Sequence, residues 1–154
     1  IDDQYRGSVK TLVSNALELE QAVLDADMVI GAVLVPGARA PKLVSNSLVQ
    51  RMMPGSVLVD IAIDQGGCFE DSVPTTHADP TYRVHESVFY CVANMPGAVP
   101  RTSTYALTNA TLPYVVALAD KGWEAACEAD AGLKNGLTIH DGALLSESVA
   151  AAFA

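Results

Sequence analysis

An apolar run that ends on a carboxylate and two glycines constrains this chain more than any other segment. Residues 57–67 read Val-Leu-Val-Asp-Ile-Ala-Ile-Asp-Gln-Gly-Gly. A near-continuous run of Val, Ile and Leu is typical of a parallel strand that is buried on both faces. Ligands of open α/β sheets bind just beyond the carboxyl ends of such strands. We therefore expect Asp64 and the backbone of residues 65–67 to lie at a ligand-binding edge.

Length and charge narrow the class of protein. The chain has 154 residues, of which 50% are hydrophobic and 18% charged, which is enough for a sizeable core and unlike a disordered chain. Its formal net charge is −9 and it has no Lys/Arg cluster, so we expect no nucleic-acid partner. No apolar run reaches the length of a membrane span. We therefore expect a soluble, cytoplasmic protein without a membrane partner.

Cysteine and histidine are sparse and scattered. The three cysteines form no C-x-x-C pair and the three histidines show no ligand spacing: Cys68, Cys91, Cys127, His77, His85 and His140. Odd, unpaired cysteines favour buried reduced thiols over a disulfide or a zinc site. A metal site on the long helix that is predicted over residues 102–121 would need a carboxylate and an imidazole one turn apart, but Ala117 and Lys121 occupy that turn. We predict no metal.

Alternating strand and helix patterns predict a parallel sheet with crossover helices. The expected strands cover residues 9–13, 27–33, 57–61 and 88–92. Two helices are expected between them, over residues 16–26 and 45–53. The first follows an Asn-x-x-Glu pattern, Asn15 to Glu18, which is close to a capping box. Residues 35–41 are expected to form a loop, and residues 64–80 a long irregular stretch.

The pattern changes after residue 100. Residues 102–121 lack glycine and predict a long helix, kinked or broken near Pro113. Helix continues over 123–131, residues 136–142 predict a short strand and turn with Asp-Gly as the hairpin signal, and residues 146–153 predict a terminal helix. This change places a domain boundary near residue 98.

Four blocks of sequence together resemble the alanine dehydrogenase family. They are Gly-Ala-Val-Leu-Val-Pro-Gly-Ala-Arg-Ala-Pro-Lys-Leu (31–43), Val-Asp-Ile-Ala-Ile-Asp-Gln-Gly-Gly (59–67), Val-Ala-Asn-Met-Pro (92–96) and Thr-Ser-Thr-Tyr-Ala-Leu-Thr-Asn-Ala-Thr-Leu-Pro (102–113). The resemblance runs in order over almost the whole chain. The nucleotide domain of this family is shared with nicotinamide nucleotide transhydrogenase, from which the second and fourth blocks differ.

This resemblance implies an α/β fold: the second part of a Rossmann-type parallel sheet, followed by an α-rich return into a substrate domain. Residues 1–98 would belong to the NAD-binding domain and residues 99–154 to the substrate domain. The implied cofactor is NAD, and the implied reaction is oxidative deamination of L-alanine to pyruvate and ammonium. The implied assembly is a homo-oligomer, with six subunits by family resemblance.

The chain departs from the family in lacking a G-x-G-x-x-G phosphate turn. In a sheet of order 3-2-1-4-5-6, its strands would be numbers 3, 4, 5 and 6. Strand 3 would have no neighbour, and strand 4 would present an apolar open edge. We therefore expect a C-terminal fragment of an enzyme, inactive alone because the family's Lys and His for substrate chemistry lie in the other half.

The resemblance also implies roles for individual residues. Asp64 would be the proton donor and acceptor beside the nicotinamide and its ribose, and Asn94 would face substrate and nicotinamide. Ser14 would lie on the adenine side. The remaining cofactor contacts would come from Val33, Leu34, Ile61, Ala62, Ile63, Val92, Ala93 and Met95.

Each of these residues also has a purely structural interpretation. Asp64 could cap the turn that follows it, Asn94 could be a polar turn residue before Pro96, and Ser14 could be a helix N-cap. The apolar positions could be plain strand core. Asp60 lies earlier on the predicted strand that leads to Asp64, and its apolar neighbours favour a structural role for it. Arg39 and Lys42 could approach the cofactor, but a solvated loop charge is the more common outcome.

Two other functions remain open from sequence. One is a transhydrogenase-type NAD-binding subunit, and the other is a non-enzymatic fragment that acts only in assembly through its open sheet edge or its long helix.

Overall fold

A four-stranded sheet forms the centre of the N-terminal two thirds of the chain. The structure is a computed structural model that describes residues 1–36 and 38–152. The strands are β1 (Met28–Gly31), β2 (Val57–Asp60), β3 (Thr81–Val84) and β4 (Ser87–Tyr90), in the spatial order β1-β2-β4-β3. β1, β2 and β4 are parallel, which confirms the α/β class predicted from sequence. β3 runs antiparallel to β4, and neither this strand nor its pairing was predicted from the sequence.

Apolar alternation explains why β2 and β4 are the centre of the sheet. Leu58 and Phe89 are register partners on these strands and both are fully buried. Two short helices cover this core: α2 (Ala16–Leu24) contributes Val23, and α3 (Asn46–Val49) contributes Val49. The rings of Phe69 and Phe89 meet edge to face with centroids 6.0 Å apart, a preferred aromatic geometry.

The predicted strand over residues 9–13 is wrong. These residues follow α1 (Asp2–Tyr5) as irregular chain, and Val13 is 77% exposed. A strand needs hydrogen bonds from a neighbour, and among the described residues none pairs with this segment. The β-prone composition of the segment is therefore not enough to make it a strand.

The start of α2 agrees with the sequence pattern, but its cap is not Ser14. The Asn15 side chain accepts a hydrogen bond from the Glu18 N–H at 2.9 Å, so Asn15 is the N-cap. The structural interpretation of Ser14 as the cap is therefore wrong by one residue. α3 is also shorter than the helix predicted over 45–53, because turns replace it after Val49.

One edge of the sheet carries exposed apolar side chains. In the described part of the chain, β1 pairs only with β2, and its Met28 and Ile30 are more than half exposed. This agrees with the apolar open edge that was expected at that strand. Backbone N–H and C=O groups along such an edge are available to another strand.

The C-terminal third is helical, and its main irregularity is not at the proline. α4 (Pro100–Ala129) runs through Pro113 and is interrupted at Gly122, whose φ is 75° and ψ is 164°. The break predicted near Pro113 is therefore wrong, because the left-handed backbone at a glycine, not the proline ring, interrupts the helix. No helix of the described chain is both long and apolar enough to span a bilayer.

Smaller elements complete the chain. α5 (Ala131–Gly136) has Asp130 as its N-cap, and the Asp130 side chain accepts a hydrogen bond from the Leu133 N–H at 2.9 Å. β5 (Ile139–His140) and β6 (Ala143–Leu144) form the predicted hairpin. Its turn residues Asp141 and Gly142 have φ values of 47° and 78°, as an Asp-Gly hairpin turn requires. α6 (Glu147–Ala152) matches the predicted terminal helix, whose last predicted residue, Phe153, lies outside the described residues.

Candidate active site at the carboxyl edge of the sheet

The segments that follow β1 and β2 enclose a pocket at the carboxyl edge of the sheet. The pocket has a volume of about 400 Å³. Five of the predicted site residues line it, together with two that were not predicted: Val33, Leu34, Ile61, Ala62, Asp64, Ala32 and Gln65. Tertiary structure thus brings together residues that are about thirty positions apart, because β1 and β2 are parallel neighbours.

Asp64 lies on a short 3₁₀ helix, Ile61–Gln65, that directly follows β2. The N–H groups of Gly66 and Gly67 donate to Ile63 O and Ala62 O at 3.0 and 2.9 Å. These bonds end the turn without the Asp64 side chain. Among the described residues the exposed Asp64 carboxylate has no hydrogen-bond partner, so it is accessible from the pocket side.

Asp60, four residues earlier, has the opposite environment. Its carboxylate is fully buried and accepts hydrogen bonds from Cys68 N–H at 2.9 Å, Phe69 N–H at 3.3 Å and the Ser72 hydroxyl. A buried carboxylate is stable when donors satisfy it in this way. Asp60 therefore attaches the loop after β2 to the end of the strand, in agreement with the structural role expected for it.

The last part of the loop after β1, from Ala40 to Val44, is joined to the loop after β2. Ala40 N–H donates to Gln65 O at 3.0 Å, and Leu43 N–H donates to Cys68 O at 2.7 Å. Val44 and Phe69 then form an isolated parallel bridge. Lys42 is exposed, in agreement with the solvated loop charge expected for it, and its side chain also donates to two carbonyls of the second loop.

Gly31, the last residue of β1, is required by the position of this second loop. A Cβ at Gly31 would lie 2.3 Å from Cys68 Sγ and 2.8 Å from Phe69 Cζ. Any larger residue would therefore push the loop away from the sheet. Close approach, not an unusual backbone angle, explains the glycine here.

The side chain of Gln65 was not predicted to belong to the site, although its backbone was expected at the ligand edge. Its side-chain oxygen Oε1 is buried and lacks a hydrogen-bond partner among the described residues, although Gln65 lines the pocket. A buried acceptor without a donor is uncommon in folded proteins and calls for an explanation such as a bound molecule. Its position directly after Asp64 was the available signal.

Asn94 and Ser14 lie beside other cavities. Asn94 has a left-handed backbone, with φ 55° and ψ 51°, and its carbonyl accepts from His77 Nε2 at 3.0 Å. It lines a cavity of about 580 Å³ with the start of α4, including Ser103 and Leu107. Ser14 lines a third cavity of about 410 Å³ between α2 and the loop before α3.

The remaining predicted contacts differ in how accessible they are. Ile63 and Val92 are buried, Met95 is half-buried and Ala93 is exposed. Ala62 is buried although it lines the first pocket. For the buried residues, strand and turn core is therefore a sufficient explanation of the side chain. Their predicted cofactor contacts remain predictions, which only the backbone could make without rearrangement.

The Cys68 thiol, near the site, is not activated. Burial, followed by the nearby Asp60 charge, raises the pKa of Cys68 from 9.0 to about 11. Cys68 Sγ lies 3.5 Å from Asp60 Oδ1 as a donor. A thiol in such surroundings stays protonated at neutral pH and is a poor nucleophile. Within residues 1–36 and 38–152, His, Cys, Asp and Glu form no group of three that could hold a metal ion.

Fold and site together define a class. A parallel sheet with connected loops at its carboxyl edge, an exposed carboxylate and an apolar pocket is the arrangement of a nucleotide-dependent α/β enzyme domain. Comparison with known families identifies which one: residues 1–147 match "Alanine dehydrogenase/PNT, C-terminal domain". The chain belongs to this family, as its four sequence blocks predicted.

Individual relatives agree. Alanine dehydrogenase of Mycolicibacterium smegmatis is 69% identical over 150 residues, which are 97% of this chain and 40% of that protein. Alanine dehydrogenase of Halomonas elongata is 63% identical over 153 residues, which are 99% of this chain and 41% of that protein. The chain thus spans about two fifths of the length of the curated relatives it matches.

Solved structures separate the two branches of the family. A structure of L-alanine dehydrogenase superposes with a TM-score of 0.81 at 52% identity, covering 99% of this chain and 42% of the other. Transhydrogenase from Sinorhizobium meliloti gives a TM-score of 0.50 at 30% identity, covering 55% of this chain and 23% of the other. The alanine dehydrogenase likeness extends over the whole chain, and the transhydrogenase likeness over about half of it.

Proposed function

We propose that this chain supplies the C-terminal part of an L-alanine dehydrogenase, which converts L-alanine to pyruvate and ammonium with NAD. The observation that carries this proposal is the pocket that pairs apolar walls with the exposed carboxylate of Asp64, in a chain 69% identical to an alanine dehydrogenase. As in that family, the remaining substrate-binding groups would come from outside these 154 residues.

The pocket residues fit a nicotinamide cofactor. Leu34 and Ile61 are mostly exposed apolar side chains at its mouth, which a flat ring could cover. Gln65 Oε1 is an acceptor without a donor, which a ribose hydroxyl or carboxamide N–H could satisfy after a small side-chain rotation. NAD, when bound, accepts the hydride that leaves Cα of alanine.

Asp64 would move protons at this site. Once Cα has lost its hydride, a water molecule must add to the resulting imino acid, and ammonium must leave. Both steps need a group that accepts and returns a proton beside the reacting carbon. Asp64 is suited to this because its carboxylate is exposed at the pocket and not engaged in capping the turn.

Asn94 would contribute on the substrate side. Its backbone is left-handed, its carbonyl accepts from His77 Nε2, and it lines the cavity at the start of α4. Residues 1–98 would carry the NAD side, with Asn94 facing both the nicotinamide and the substrate, and residues 99–154 would belong to the substrate domain. By family resemblance we propose a homo-hexamer, which a size measurement on the assembled enzyme tests.

The test uses a hybrid protein in which this chain replaces the matching 40% of the Mycolicibacterium smegmatis alanine dehydrogenase. We expect the hybrid to form NADH from NAD only when L-alanine is present, and this chain alone to form none. A folded hybrid without alanine-dependent NADH formation would contradict the proposal. Turnover by the chain alone would contradict its dependence on the other part.

A transhydrogenase-type function is the second candidate, favoured only by the partial structural likeness. It predicts hydride exchange between two nicotinamide cofactors without alanine. We expect no such exchange by the hybrid or by the chain alone, and its appearance in either would shift the assignment to that branch of the family.

A further inference from the structure

Lys42 lies in the loop after β1, but its ammonium group bonds to the loop after β2. Nζ donates to Gly66 O at 2.6 Å and to Phe69 O at 2.9 Å. Both acceptors are main-chain carbonyls. The contact therefore constrains the course of the second loop's backbone, rather than the conformation of another side chain.

The Lys42 side chain adds to the main-chain hydrogen bonds that join the two loops. Ala40 N–H donates to Gln65 O and Leu43 N–H donates to Cys68 O, whereas Pro41, between them, has no N–H to donate. The Lys42 ammonium carries three donors and binds two carbonyls that these N–H groups do not bind, Gly66 O and Phe69 O. Phe69 O also accepts from Ser72 N–H at 3.3 Å.

The carbonyl that Lys42 binds is two residues from Asp64. Gly66 ends the 3₁₀ helix that carries Asp64, in a left-handed conformation with φ 89°. A left-handed glycine is a flexible position, since no Cβ restricts it. From the other side, Asp60 holds the next residues through the Cys68 and Phe69 N–H groups. Asp60 at the end of β2 and Lys42 in the loop after β1 therefore both hold the residues that follow this turn.

We propose that Lys42 is a positioning residue, which fixes the Gly66 carbonyl and so keeps the Asp64 carboxylate at its place in the pocket. This inference rests on the proposed function, because it assigns Lys42 a task for the proton transfer by Asp64. It differs from the alternative that Lys42 approaches the cofactor, since both of its observed bonds lie within the protein.

Direct contact and positioning give different kinetics. A lysine that binds the cofactor equally in ground and transition states changes KM for NAD and leaves kcat alone. A lysine that positions the acid/base changes kcat, because misplacement by about 1 Å can cost about 100-fold in rate. A lysine that only stabilises the fold changes neither well below the melting temperature.

The test compares Lys42→Met, Lys42→Arg and Lys134→Met in the hybrid protein. Lys134 is an exposed lysine in α5, outside the pocket, and controls for loss of one positive charge. We expect Lys42→Met to lower kcat about 10- to 100-fold with little change in KM for NAD. Lys42→Arg, which keeps donors for both carbonyls, should recover most of kcat, and Lys134→Met should match the unsubstituted hybrid.

A second measurement does not depend on turnover. Amide hydrogen exchange at Gly66 and Gly67 should accelerate in Lys42→Met and not in Lys134→Met, because their bonds to Ile63 O and Ala62 O hold the turn that Lys42 secures. Unchanged exchange, unchanged kcat, or a rise in KM for NAD alone would each overturn the positioning role. An inactive unsubstituted hybrid would instead count against the proposed function, while the exchange data would still decide whether Lys42 holds the turn.

Discussion

The Asp60 carboxylate and the Cys68 backbone N–H form a buried hydrogen bond of 2.9 Å that joins the end of β2 to the loop beyond it. Asp60 is fully buried, whereas Asp64, one turn later, is exposed at the pocket. Two carboxylates on one short segment therefore have different environments. The first stabilises the loop, and the second is available for chemistry.

Removing the Asp60 carboxylate should destabilise the protein strongly. Asp60→Ala leaves the Cys68 and Phe69 N–H groups and the Ser72 hydroxyl without their acceptor. We expect a loss of about 2–5 kcal/mol in the free energy of unfolding. Asp60→Asn keeps one acceptor oxygen and should lose about 1–2 kcal/mol. Urea unfolding followed by circular dichroism measures both, and equal stability of Asp60→Ala and the unsubstituted protein would refute the network's importance.

Replacing Asp64 should affect turnover rather than folding. In the hybrid, Asp64→Asn should lower kcat by about 10²- to 10⁴-fold, the usual contribution of a positioned acid/base. NADH affinity, measured by fluorescence titration, should change little because the amide keeps the size of the side chain. Asp79→Asn, at an exposed loop position, is the matched control and should retain full activity. Full activity of Asp64→Asn would assign the acid/base role to another residue.

The two glycines after Gln65 should respond differently to alanine. Both have positive φ, 89° for Gly66 and 73° for Gly67, and share a backbone penalty of about 1–2 kcal/mol. A Cβ at Gly66 meets open space, whereas one at Gly67 would lie 2.6 Å from Ser72 Cβ and 2.7 Å from Asp60 Oδ2. We expect Gly67→Ala to cost about 1–3 kcal/mol more than Gly66→Ala in thermal or urea unfolding. Equal losses in the free energy of unfolding would show that a Cβ at residue 67 can be accommodated beside Asp60.

The three cysteines should differ in reactivity. Cys68 and Cys91 are buried and Cys127 is partly exposed. At pH 8 a thiol reagent such as iodoacetamide should modify Cys127 first, because burial and the Asp60 charge raise the pKa of Cys68 to about 11. Mass spectrometry of labelled peptides gives the order. Labelling of Cys68 at the rate of Cys127 in folded protein would contradict the buried position of this loop.

Stability should fall in alkaline solution, in part through Cys68. Its pKa is 9.0 when unperturbed and about 11 in the folded protein, so the unfolded chain loses the proton first as pH rises. The stabilisation is complete below pH 9 and is lost as pH rises towards 11. Burial also raises the pKa of Tyr82, which acts in the same direction at higher pH. Cys68→Ala should flatten the decline between pH 9 and 11 in urea unfolding, and an unchanged slope would exclude Cys68 as a source.

Segments with a clear apolar pattern, a capping residue or a typical turn sequence were predicted well, because interactions between residues close in sequence determine them. The apolar run of β2, the Asn15 cap of α2 and the Asp141-Gly142 hairpin turn all follow from side-chain patterning or from backbone angles that few residues accept. The family followed from four blocks of sequence and is confirmed over residues 1–147. The roles of Asp64, Asn94 and Ser14 remain predictions, with positions now known.

Predictions failed where the outcome depends on partners distant in sequence. Residues 9–13 have strand composition, but no described strand binds them. Lys42 is exposed, as expected for a loop lysine, but its hydrogen bonds to two carbonyls more than twenty residues away were not predicted. The side chain of Gln65 was overlooked because an unsatisfied buried acceptor becomes visible only when its surroundings are known.

The sequence alone therefore determined the three parallel strands β1, β2 and β4, the ligand edge that follows β2, and the family to which the chain belongs. Only the tertiary structure decided how the two loops at that edge are joined, and hence why Asp60 is buried while Asp64 is exposed. The physical reason is range: propensity, capping and turn chemistry act over a few residues. Burial and hydrogen bonding between residues 40–46 and 65–71 depend on the parallel pairing of β1 with β2, which local sequence does not specify.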